Sequence, residues 1–249
     1  KYAHKCALIM ARIATEYPSL NADRPDNLTL EQIKKLPYIF PPQGAMAGIG
    51  NYQVEAYFMK VVLQAYRQIY PYLEAGGDAE LRAFLAEKGI DDVKSLIQWD
   101  LCHESLLGAL EGNFVSGLGT LGMMRDLGES AIAWDFHDAS KGATTEYIID
   151  WIATVGPKNV RDKMYDGFDR DGFTSTAGLG YNFAYGMTQL APLAEILRKG
   201  DVDLYAWPRV RETIRAPIKT IVAGKWTPTI GDAGSSKGMT TLGFSLPGN

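Results

Sequence analysis

The chain has 249 residues, enough for one large domain or two small ones with a sizeable core. Its apolar fraction of 46% and charged fraction of 22% are ordinary for a globular protein in water. A net charge of -4 argues against a nucleic-acid partner, which needs a basic face, and no apolar run approaches the roughly eighteen residues of a membrane span.

Residues 1–17 set Ala3, Ala7, Met10, Ala14 and Tyr17 at three- and four-residue steps, a helix that Pro18 ends. Thr29-Leu30-Glu31-Gln32 is a capping box that opens a short helix closed by Pro37. Residues 38–52 carry Pro41, Pro42, Gly44, Gly48 and Gly50, a long irregular loop of the sort that shapes clefts. Residues 53–70 form a strong helix in which Ala56, Tyr57, Val61, Leu63, Ala65 and Ile69 cover much of the circumference, so burial on two sides is expected.

Gly76-Gly77 precedes a short helix over 78–87 with an Asp cap. A longer helix follows over 91–110, with Val93, Leu96, Ile97, Leu101 and Leu107 inward. Residues 112–128 are glycine-rich. Residues 144–154 are helical up to Gly156-Pro157, and 160–165 make one or two turns. Asp166-Gly167 and Asp171-Gly172 mark 165–185 as a turn-rich loop. A helix over 181–199 follows, with Gly200 as its stop. Pro208 opens a last helix, running to Val222 and interrupted by Pro217; the tail from Trp226 is coil.

The reading is all-α, with roughly eight to ten helices joined by long Gly-rich loops. Antiparallel helix pairs ringed about a centre suit such loops better than a tight four-helix bundle does. Cys6 and Cys102 are expected to be buried free thiols. The chain begins inside a helix and stops at Pro247-Gly248-Asn249, so it is read as part of a longer protein.

Gly117-Leu118-Gly119-Thr120-Leu121-Gly122 matches the dinucleotide fingerprint in letters but lacks the preceding strand. Gly234-Ser235-Ser236-Lys237-Gly238 matches a nucleophile elbow without its strand-turn-helix frame. Asp169-Arg170-Asp171-Gly172 lacks the Glu that completes a calcium loop. His4, His103 and His137 show no metal-ligand spacing, so no metal or cofactor is expected.

Several residues remain as chemistry candidates. His103 lies four residues after Trp99 on one helix. Glu104 and Glu111 are seven apart and can share a face. Asn113 leaves a helix for the glycine-rich run, where an amide caps the helix or faces a cleft. Tyr181 and Tyr185 are one turn apart at the mouth of a helix.

Asn113-Phe114 with the glycine-rich run, Asp171-Gly172 leading to Thr176-Ala177-Gly178-Leu179-Gly180-Tyr181, and Trp226-Thr227-Pro228-Thr229-Ile230-Gly231-Asp232 together resemble the heparinase II/III-like polysaccharide lyases, which include alginate lyases. Phe114 stands where that family commonly has His, and Thr176 where it commonly has Glu. The resemblance implies that 1–249 is a single α/α toroid-type domain, an incomplete barrel of antiparallel helix pairs, from a protein with a C-terminal β-sandwich beyond this chain. It also implies a periplasmic or secreted setting and an anionic polysaccharide or oligosaccharide as partner, with no nucleic acid and no membrane.

Lyases of this kind cleave uronic-acid polymers by β-elimination. On the family's pattern Asn113 hydrogen-bonds the substrate carboxylate, as an oxyanion hole does. Tyr181 takes the C5 proton and returns one to the departing O4. Trp99, His103, Trp134 and Tyr185 are the substrate-binding candidates. A glycoside hydrolase built on Glu104 or Glu111 with an Asp of the loop, and a catalytically silent glycan-binding domain, are the rival readings.

Overall fold

The structure, a computed structural model, describes residues 1–17, 52–111, 119–156, 159–173 and 188–220. The described residues are helical and contain no strand, which bears out the all-α expectation. They divide into two compact units, Lys1–Asn113 with Glu129–Ile148, and Phe114–Gly128 with Ile149–Asn249. The expected features at 18–51, 112–118, 174–187 and 221–249 lie outside the described residues.

In the first unit, α1 (Tyr2–Glu16) buries Ala7, Met10, Ala11 and Ala14 on one stripe. Three of the four are alanine, so neighbouring helices can come close. Tyr17, fully buried, stacks on Phe58 with ring centroids 6.1 Å apart. α2 (Tyr52–Glu74) runs past Tyr70 and through Pro71, four residues beyond the expected end. Its buried residues Met59, Val62, Leu63, Tyr66, Ile69 and Leu73 form a single stripe, while Tyr57 and Val61 are exposed. Burial on two sides is therefore corrected to burial on one. Each fully buried Leu on that stripe contributes about 1.5–3 kcal/mol.

α3 (Ala79–Ala86) starts where Asp78 accepts the Leu81 N–H at 2.8 Å. The same carboxylate accepts from the Tyr72 hydroxyl at 2.8 Å and meets His4 Nδ1 at 3.1 Å, which ties α1, α2 and α3 together.

α4 (Val93–Leu96), a π-helical stretch (Ile97–His103; π1) and α5 (Glu104–Glu111) follow without a break. The wider π turn changes the phase of the buried face. Leu101 and Cys102 are both fully buried, and Leu106 takes the inward position expected for Leu107. α1 packs on α2, α4 and π1, and α2 packs on α5.

α6 (Gly119–Trp134) contributes residues 119–128 to the second unit and 129–134 to the first. Part of the glycine-rich run is thus helix. A Cβ at Gly128 would come within 2.8 Å of Ile196 Cγ2, so this glycine admits a neighbouring helix and makes no turn. In the second unit, α7 (Thr145–Asp150) continues into a second π-helical stretch (Trp151–Val155; π2), and α8 (Val160–Asp166) is capped by Asn159. α9 (Thr188–Arg198) buries Leu190, Leu193, Ala194 and Leu197.

After a 3₁₀ turn (Leu204–Ala206), α10 (Pro208–Thr220) buries Val210, Thr213 and Ala216 and continues through Pro217, which does not interrupt it. Residues 169–173 close a tight turn: Asp169 N–H donates to Phe173 O at 2.7 Å and Gly172 N–H to Asp169 O at 3.0 Å. Gly172 has φ +86°, and a Cβ there would lie 2.4 Å from Glu212 O on α10. Cys6 is half-buried and Cys102 buried, both free. No described helix is long and apolar enough to cross a membrane.

Candidate functional site

Three of the substrate-binding candidates, Trp99, His103 and Trp134, meet in the first unit. π1 carries Trp99 and His103 with centroids 5.2 Å apart, edge to face. Trp134 ends α6 and meets Trp99 edge-on at 6.0 Å and His103 at 6.1 Å. Phe136 completes the cluster, 5.5 Å from Trp99 and 5.2 Å from Trp134. Such edge-to-face pairs contribute about 0.5–1.5 kcal/mol each beyond area burial.

Hydrogen bonds fix the orientation of two of these rings. The Trp134 indole N–H donates to Ala143 O at 2.9 Å, and the Ala143 N–H donates to His103 Nε2 at 3.2 Å. Accepting at Nε2 puts the proton of the neutral imidazole on Nδ1, the atom 4.0 Å from Glu104 Oε1. Gly142 makes the approach possible, since a Cβ there would stand 2.6 Å from His103 Nε2 and 3.1 Å from Trp99 Cζ3.

The cluster borders a pocket of 410 Å³ lined by Tyr66, Arg67, Tyr70, Gln98, Trp134, Asp135 and Phe136 among others. Tyr66 is 4% exposed and meets Tyr70 edge-on at 5.7 Å. Burial, reinforced by Cys102, holds its phenol well above the ordinary tyrosine value, so it is a proton-bearing donor and no base. Arg67 Nη1 donates to Asp135 Oδ2 at 3.0 Å. Asp135 has φ +49°, an uncommon left-handed backbone for a residue other than glycine, and it turns the chain out of α6. A larger pocket of 590 Å³ lies among Leu8, Ile9, Ala11, Arg12, Phe84, Leu85, Lys88 and Ile90. It holds none of the candidate residues.

Beyond Asp135, His137 Nε2 lies 3.3 Å from Asp135 Oδ1 and Nδ1 lies 2.5 Å from Glu146 Oε1. The Glu146 bond, then the Asp135 bond, raises the His137 pKa above its ordinary 6.5. Arg67 first, then His137, holds Asp135 below the ordinary carboxylate value. A raised imidazole stabilises the fold at low pH and stops doing so as pH rises through its folded value. The lowered Asp135 carboxylate acts above its ordinary value and fails as pH falls through the folded one. His137 is expected to titrate above 6.5 by NMR, and Glu146→Gln to bring it down. A midpoint at or below 6.5 in the unaltered chain would contradict this network.

Asn113, Tyr181 and Tyr185 lie outside the described residues. Glu104 opens α5 and Glu111 closes it. Tyr66, Arg67, Tyr70, Gln98, Asp135 and Phe136 were absent from the sequence candidates. Two local signals point to them: aromatic residues one turn apart on α2, and the run Trp134-Asp135-Phe136-His137-Asp138 at a helix end. Among the described residues no group of three His, Cys, Asp or Glu is placed to hold a metal ion. No family profile, curated protein or solved structure matches this chain.

Proposed function

We propose that this chain is the α/α toroid part of a polysaccharide lyase that cleaves a uronic-acid polymer by β-elimination. Tyr181 is its base and acid and Asn113 its carboxylate neutraliser. The observation that supports the reading is the meeting of Trp99, His103 and Trp134 beside an aromatic pocket with a cation, Arg67, on its wall. Aromatic faces with a few polar groups suit sugar rings, and a guanidinium suits their carboxylates.

The proton on C5 is barely acidic until the neighbouring carboxylate is neutralised. The Asn113 amide supplies that, stabilising the enolate-like charge as it forms. A phenolate at Tyr181 removes the proton, and the resulting phenol protonates the O4 that leaves. A free tyrosine titrates near about 10, so cations or donors around Tyr181 must lower its value. A C-terminal β-sandwich beyond this chain and a periplasmic or secreted setting belong to the same proposal.

A hydrolase is the second reading. Burial, then the charge of Glu104, raises the Asp100 carboxyl above the ordinary carboxylate value, the direction a general acid needs. A screen of alginate, heparan sulfate, chondroitin, hyaluronan and ulvan with the full-length protein separates the two. Elimination leaves a C4–C5 double bond that absorbs in the ultraviolet. New reducing ends without that absorbance would favour the hydrolase.

A further inference from the structure

We propose that the 410 Å³ pocket on the first unit binds one carboxylated sugar unit, with Arg67 taking the carboxylate and Tyr66 and Gln98 the ring hydroxyls. The proposal rests on the polysaccharide reading above and adds to it a ligand contact built from described residues. Tyr66, Tyr70, Trp134 and Phe136 are four of its lining residues, an aromatic share that suits the apolar face of a pyranose ring.

Among the described residues, neither the Tyr66 hydroxyl nor the Gln98 side chain has a hydrogen-bond partner. The Tyr66 side chain is almost wholly buried, yet its hydroxyl is not among the buried oxygens that lack a partner, so that oxygen keeps contact with solvent. Both residues line the pocket, so each polar group can exchange water for a ligand hydroxyl there.

Arg67 is engaged but available. Its pair with Asp135 is on the surface, both side chains being more than half exposed, and such pairs hold weakly. A carboxylate entering the pocket can take the guanidinium as a bidentate partner. Asp135 keeps His137 at 3.3 Å when Arg67 turns away, so no carboxylate is left alone at the rim.

Calorimetry with the full chain tests this, using a saturated uronate tetrasaccharide and the same tetrasaccharide with its carboxyls reduced to alcohols. The unaltered chain is expected to bind the charged form more tightly. Arg67→Gln should weaken the charged form roughly 10- to 100-fold, as loss of a charge-assisted bond does, and leave the reduced form unchanged. Tyr66→Phe and Gln98→Ala should weaken both forms, each by roughly 2- to 10-fold. Circular dichroism on each variant separates lost binding from lost fold.

Equal affinity of the unaltered chain and Arg67→Gln for the charged form would overturn the proposal, as would absence of binding at millimolar ligand. Failure of the lyase reading looks different. Binding that follows this pattern with no unsaturated product from any polymer keeps the pocket and removes the lyase. Unsaturated product formed at full rate by Arg67→Gln and Tyr66→Phe keeps the lyase and removes the pocket.

Discussion

Tyr181→Phe is expected to lower the rate of elimination by roughly a hundred- to ten-thousand-fold, the usual effect of losing a proton-transfer group. The substitution removes one oxygen and keeps the ring, so packing should survive. If the hydroxyl only makes a structural hydrogen bond, stability changes by about 1 kcal/mol and turnover persists. Tyr185→Phe is the internal control, one turn away on the expected helix. Asn113→Ala should also cripple turnover, by roughly a hundred- to a thousand-fold, through weaker carboxylate neutralisation. The readout is the initial rise of ultraviolet-absorbing product. Loss confined to Tyr185→Phe would move the base to Tyr185, and near-normal rates in both would sink the phenol mechanism.

Gly172→Ala is expected to destabilise the second unit by about 2–4 kcal/mol, from backbone strain together with overpacking. Gly172 has φ +86°, and the added carbon would meet Glu212 O at 2.4 Å and Thr213 Cα at 2.7 Å. Both contacts are to the backbone of α10, which cannot swing aside as a side chain can. Gly89→Ala is the control. Its φ is +71°, but nothing lies within 4 Å of the added carbon, so it should cost only about 1 kcal/mol of backbone strain. Urea unfolding of each variant reads the loss in the unit that holds it, the second for Gly172 and the first for Gly89. Equal losses would show that the turn does not bear on α10 as described.

The helices legible in the sequence are those whose signals are local. Ala7, Met10 and Ala14 repeat at helical spacing, Asp78 caps α3 through Leu81 N–H, and Gly200 N–H closes α9 onto Leu197 O. The errors fall where a residue's usual role was overridden by packing. Gly122 and Gly128 read as loop, yet they sit in α6, where Gly128 has Ile196 against it. Pro217 reads as an interruption, yet α10 runs through it, and α2 runs past its expected end at 70 through Pro71.

The π turn at 97–103 has no periodic signature of its own, so helical spacing predicts Leu107 in the place that Leu106 holds. The candidate site was half legible for the same reason. Trp99 and His103 are one turn apart on any helix, but their meeting with Trp134 and Phe136 depends on how α6 returns to π1. The pocket beside them joins α2, π1 and the end of α6, and no stretch of sequence contains all three.

Cleavage of the uronate polymer in heavy-oxygen water, with the products weighed by mass spectrometry, tests the central claim most directly. Elimination adds no water, so the two new chain ends, weighed before their anomeric oxygens exchange with solvent, should together have the mass of the parent and carry no heavy oxygen. One end should also bear the double bond. Incorporation of one heavy oxygen per cut, at a new reducing end, would show hydrolysis and contradict the lyase account.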